Sequence, residues 1–105
     1  MKFDTFNELV EKQVELCKKV LMVKNKEYSS GEDRLHNFKV IARKLNITPE
    51  QACLVLMQKH VVSVEDIAGG KEATPEMMDE KFGDIINYYI LLRALIEERQ
   101  EEKKD

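Results

Sequence analysis

Apolar residues recur at three- and four-residue steps along most of the chain, and four such stripes can be traced, each bounded by a local start or stop signal. In the first, Phe6, Leu9, Val10, Val14, Cys17, Val20 and Leu21 follow the capping box Thr5-Phe6-Asn7-Glu8, and the spacing predicts a helix ending near Glu27. Tyr28-Ser29-Ser30-Gly31 supplies the break. Leu35, Phe38, Ile41, Ala42 and Leu45 form the stripe of a shorter second helix. Thr48-Pro49-Glu50-Gln51 joins an N-cap, a proline at the first helical position and a capping glutamine, starting a third helix that closes by Gly69-Gly70. Thr74-Pro75-Glu76 repeats the start signal for a fourth helix running past Arg93 into a Glu- and Lys-rich tail, where residues 97–105 are expected to fray. No segment alternates apolar and polar residues long enough to propose a strand. The expected fold is all-α, a bundle of four main antiparallel helices with residues 1–105 in one domain.

Composition agrees with this reading: 43% hydrophobic and 35% charged residues with four Gly and two Pro favour long amphipathic helices over a turn-rich β fold. A net charge of -3 argues against nonspecific contact with DNA or RNA, which requires an extended basic surface. No apolar run approaches a membrane span and no basic-then-apolar leader opens the chain, so a cytoplasmic protein is expected. Cys17 and Cys53 fall on apolar stripes without zinc spacing and read as reduced core residues.

Candidate chemistry concentrates in Glu80-Lys81-Phe82-Gly83-Asp84-Ile85-Ile86-Asn87-Tyr88-Tyr89. At helical spacing Glu80, Asp84 and Asn87 share one face of a segment that otherwise reads as buried, and unpaired burial of such groups is costly. A magnesium ion, which takes one or two carboxylates and keeps several waters for substrate phosphates, would compensate the two acids. A purely structural network with Lys59 or Arg43 would do so equally. Gly83 in mid-helix suits the close approach of another helix or a ligand. The third helix adds a polar row of Lys59, Ser63 and Asp66, while His60 lies in line with Cys53, Met57 and Val64 and reads as a core residue. Lys24-Asn25-Lys26-Glu27-Tyr28, followed by Arg34, His36 and Asn37, offers cations for phosphate, an aromatic face for stacking and amides for a base edge or ribose hydroxyl. Solvated helix-end residues explain the lysines as well.

Lys24-Asn25-x-Glu27-Tyr28, Asn37-Phe38, Lys59-His60-x-x-Ser63-x-x-Asp66 and Glu80-Lys81-x-Gly83-Asp84-x-x-Asn87-Tyr88 together resemble the small phage and bacterial proteins grouped with the MazG-like all-α nucleotide pyrophosphohydrolases. The similarity runs from about Lys24 to Leu95. It implies magnesium-dependent hydrolysis of a nucleoside triphosphate or modified nucleotide, in a cleft completed by a homo-oligomer. Carried over by position, Asp84 matches the aspartate of the second acidic pair, Lys81 stands where its glutamate would be, and Glu80 lies one residue earlier. The first acidic pair is missing: Lys59 and Ser63 occupy that helix, with Asp66 pointing the same way. The resemblance thus implies Glu80, Asp84 and Asp66 as catalytic groups, joined by Glu27 as metal ligands. Substrate contacts would come from Lys59, Lys24, Asn25, Tyr28, Arg34, Asn37, Ser63, Asn87 and Tyr88. A nucleotide-binding module that does not cleave, using Lys59, Lys24, Arg34 and Tyr28, is one alternative. A helical factor that binds another protein is a second.

Overall fold

In a computed structural model that describes residues 1–22 and 33–103, four helices follow one another and no strand occurs among the described residues: α1 (Phe3–Leu21), α2 (His36–Leu45), α3 (Pro49–Ala68) and α4 (Pro75–Lys103). The two Thr-Pro starts behave as their chemistry dictates. The Thr48 hydroxyl accepts from the Gln51 backbone N–H at 3.1 Å, while the Gln51 side chain accepts from the Thr48 N–H at 2.9 Å. Thr74 accepts from the Met77 N–H at 3.1 Å. Asn46 ends α2 in the left-handed region (φ 56°), a conformation its short polar side chain tolerates.

Three local expectations change. The box at Thr5 caps nothing: the Phe6 N–H already bonds the Lys2 carbonyl at 3.0 Å, so α1 starts at Phe3 and Thr5 sits inside its first turn. The described part of α1 ends at Leu21, and the segment around Glu27 lies outside the described residues. The tail does not fray at residue 97, because α4 continues to Lys103. Glu98 is held there by Lys39, and Arg99 by Glu50.

Packing is organised around α4, which at about 1.5 Å per residue accounts for most of the 49 Å long axis. Its seam with α3 is the most extensive, α2 lies on α3, and α1 meets only α4. Leu35, Phe38, Cys53 and Leu95 form the core, with Leu56, Tyr88, Leu91 and Leu92 packed against it. Phe38 meets Tyr88 edge to face, ring centres 6.4 Å apart, so α2 also reaches α4 through side chains.

Direction distinguishes the two sides of α4. Glu50 pairs with Arg99, Cys53 with the Tyr88 carbonyl and His60 with Asp84, so α3 and α4 run antiparallel. On the other flank Lys12 pairs with Asp79, Gln13 abuts Gly83, and Cys17 and Leu21 share a pocket with Ile86 and Ile90. That ladder advances in the same sense along both helices, so α1 lies parallel to α4. The expectation of antiparallel neighbours throughout fails here because α1 and α4 are not consecutive, and no short turn dictates their relative direction.

A clamp closes the α2 end. Lys39 bridges Asp33 (2.7 Å) and Glu98, and the other Asp33 oxygen accepts from the Leu35 N–H at 2.9 Å. The Lys39 bond, then the Leu35 amide, hold the Asp33 carboxyl below its ordinary value; Asp33 and then Glu98 raise the Lys39 ammonium. The depressed Asp33 contributes stability above its unfolded value of about 4, lost as pH falls through the lower folded value. The raised Lys39 contributes below about 10.4 and is lost as pH climbs through its folded value. Thermal denaturation across pH should therefore show both flanks flattened in Lys39→Met. Thr48→Ala should cost about 1 kcal/mol in urea unfolding, by loss of the α3 cap.

Candidate functional site

Glu76, Glu80, Asp84 and Asn87 fall at steps of four, four and three along α4, forming a polar stripe on the face left between α1 and α3. Leu16 and Val20 of α1 wall this groove on one side, and Gly83 and Asp79 complete its lining around about 340 Å³ of space. Gly83 is buried, and a Cβ there would sit 3.3 Å from the Gln13 Nε2, so the missing side chain lets α1 approach α4 closely.

Asp84 forms the junction with α3. One of its oxygens lies 3.2 Å from His60 Nδ1, and the imidazole lies against the Tyr88 ring at 5.0 Å between centres. His60, on the stripe that packs against α4, therefore reaches the acid row. Lys59, one residue earlier and about 100° around the helix, stays in solvent. His60 is packed on the apolar seam as its stripe implies, and its polar partner is an acid of the facing helix that spacing along α3 cannot show. Burial pushes the Tyr88 phenol up, and the neighbouring Cys53 and Asp84 add to this. Burial also pushes the Cys53 thiol up, so it stays protonated and donates to the Tyr88 carbonyl at 3.7 Å.

Asn87 is 6% exposed, and its Oδ1 is buried without a hydrogen-bond partner among the described residues. A buried unpaired amide oxygen costs about 1–3 kcal/mol. That acceptor lies in the groove wall, three residues from Asp84.

The other expected residues divide clearly. Lys24, Asn25, Glu27 and Tyr28 lie outside the described residues. Asp66 is exposed in the last turn of α3, and the Ser63 hydroxyl is used locally, donating to the Lys59 carbonyl at 3.0 Å. Arg34 is half-buried in the turn before α2, and Asn37 is exposed in its first turn. Glu80 is solvent-facing, with Lys81 beside it at 3.7 Å. The expectation that Glu80 is buried with Asp84 and Asn87 fails because the groove is open and Glu80 stands at its rim.

Among the described residues no three acid, histidine or cysteine side chains gather closely enough to hold a metal ion. Glu80 faces water, Asp84 is engaged by His60 and Asp66 stands in solvent at the end of another helix. Glu80, Asp84 and Asp66 thus do not form a resident magnesium cage. No helix among the described residues is long and apolar enough to cross a membrane. No family model, curated protein or solved structure matches this chain.

If Asn87 carries an unmet acceptor for a ligand's sake, its removal should stabilise the ligand-free protein. Asn87→Leu is expected to raise stability in urea unfolding by about 1–2 kcal/mol, the cost of the orphaned oxygen; a loss instead would show the amide to be structural.

Proposed function

We propose that the chain is a cytoplasmic nucleotide hydrolase that takes a nucleoside triphosphate, as its magnesium complex, into the groove between α1 and α4. The observation that carries this reading is the meeting of Asp84, His60 and Tyr88 beside the unpartnered Asn87 carbonyl. An aspartate that holds one imidazole nitrogen fixes the orientation of the ring and stabilises its charged form, the arrangement by which histidine serves as a general base. In this reading His60 takes a proton from water as the water oxygen attacks the α-phosphorus, the phosphoanhydride bond breaks, and pyrophosphate leaves. The groove is lined by carboxylates, so a bare polyphosphate is repelled and its cation complex is not. Lys59, exposed one residue from His60, is assigned to the phosphates, and Asn87 to a donor group of the nucleotide. The resemblance to MazG-like proteins supports the substrate class and a homo-oligomeric state.

A second reading, capture of the nucleotide without cleavage, is favoured by one observation: Lys59 is exposed one residue from His60, where an ammonium can hold phosphate without a metal. One experiment separates the two. The purified chain is incubated with canonical and modified triphosphates and magnesium, and pyrophosphate release is measured. Turnover reduced at least about 100-fold in both Asp84→Asn and His60→Gln supports the hydrolase. Thermal stabilisation by a nucleotide without turnover, lost in Lys59→Ala and indifferent to chelator, supports the binder. No release and no stabilisation by any nucleotide sinks both.

A further inference from the structure

The groove beside Asp84 is rich in acceptors. Glu76, Asp79, Glu80 and Asp84 bring carboxylates to it and Asn87 an amide, while its α1 wall of Leu16 and Val20 is aliphatic. Lys12 pairs with Asp79 and Lys81 stands beside Glu80, whereas Glu76 has no ion partner among the described residues. Two ammonium groups thus face four carboxylates, and the surplus is negative whether or not the His60 ring is charged. A row of acids on a helix face is ordinarily no more than solvated surface. What singles this row out is its inner end, where Asn87 is 6% exposed and its Oδ1 has no hydrogen-bond partner among the described residues. A buried acceptor without a donor is costly, so a ligand that brings N–H groups into the groove is favoured.

A bare metal ion does not match this lining. No three acid, histidine or cysteine side chains gather closely enough among the described residues. Four-residue steps set Glu76, Glu80 and Asp84 about 6 Å apart along the α4 axis, in a line rather than around one point. A line of acids beside an aliphatic wall suits an elongated cation.

We propose that the groove binds an aliphatic polyamine, its ammonium groups on Glu76, Glu80 and the Asn87 carbonyl and its methylenes along Leu16 and Val20. An alkylammonium has donors and no acceptor, the complement of a carboxylate row. Aliphatic stems bury along apolar surface while their charged heads stay at the polar edge, so each part of the ligand meets a matching part of the lining. Linkers of three or four carbons between amines repeat at close to the step of the acids. The groove is the one used in the functional reading, and the regulatory consequence rests on that reading: a polyamine seated there excludes the magnesium nucleotide. Binding itself requires no turnover.

The test is calorimetric titration of the full chain with spermidine at low ionic strength, without nucleotide or magnesium. Saturable binding at a single site per chain is expected, weakened about tenfold in the double change Glu76→Gln with Glu80→Gln. Asn87→Leu should weaken it too, and Glu8→Gln with Glu15→Gln, which removes the same charge from exposed positions of α1, should leave it unchanged. Should Asn87→Leu fail to fold, the two charge-matched double variants decide. Absence of saturable binding would overturn the proposal and leave the nucleotide assay standing, just as failure of that assay leaves the titration standing. Equal weakening in both double variants would overturn it in favour of diffuse attraction to an acidic chain. Binding undiminished in folded Asn87→Leu would overturn the part given to the amide. Butylamine bound as tightly as putrescine would overturn the polyamine in favour of a single ammonium, such as a lysine of another protein.

Discussion

Everything described here depends on the burial of the α3 stripe against α4. Cys53 and Met57 are the two most deeply enclosed side chains of any size, and Leu95, Tyr88 and Leu92 meet that stripe from the other helix. That seam sets α3 and α4 antiparallel and in register, and the register brings His60 to Asp84. A shift of one residue on either helix would turn the imidazole about 100° away from the acid. The polar junction is thus a by-product of apolar packing. Its position is fixed by groups that take no part in its chemistry.

The two flanks of α4 have opposite characters for the same reason. On the groove side, Glu76, Glu80, Asp84 and Asn87 keep a polar stripe between α1 and α3, and an open groove lets Glu80 stay hydrated. Asp84, half-buried, meets a histidine instead of water, and Asn87, fully buried, has its carbonyl oxygen unmet. Burial therefore increases along the stripe from Glu80 to Asn87. On the outer side a trough between α1 and α4 is lined mainly by apolar side chains, with Gln13 and Asp79 among them.

Much of this was legible beforehand. Four stripes, the Thr48 and Thr74 caps, the buried cysteines and the shared face of Glu80, Asp84 and Asn87 all follow from spacing and capping chemistry, which act within a few residues. What was misread depends on distant partners. The α1 stripe is largely exposed, because periodicity reports that a face is apolar and not whether anything covers it. His60 packs on the apolar seam as its stripe implies, and only the facing helix reveals its partner Asp84. The tail looked frayed because Glu and Lys dominate it, until Lys39 and Glu50 on other helices are seen to hold Glu98 and Arg99.

By itself, then, the sequence determined the helices, their starts and the order of polar and apolar faces around each, since those are set by backbone hydrogen bonding and side-chain periodicity over one or two turns. The tertiary structure alone decided that α1 lies parallel to α4, that the acid row opens into a groove and that an imidazole reaches its central member. These are matters of which face meets which. Contacts between helices many residues apart are chosen by the summed burial of the whole chain, and no local stretch encodes that sum.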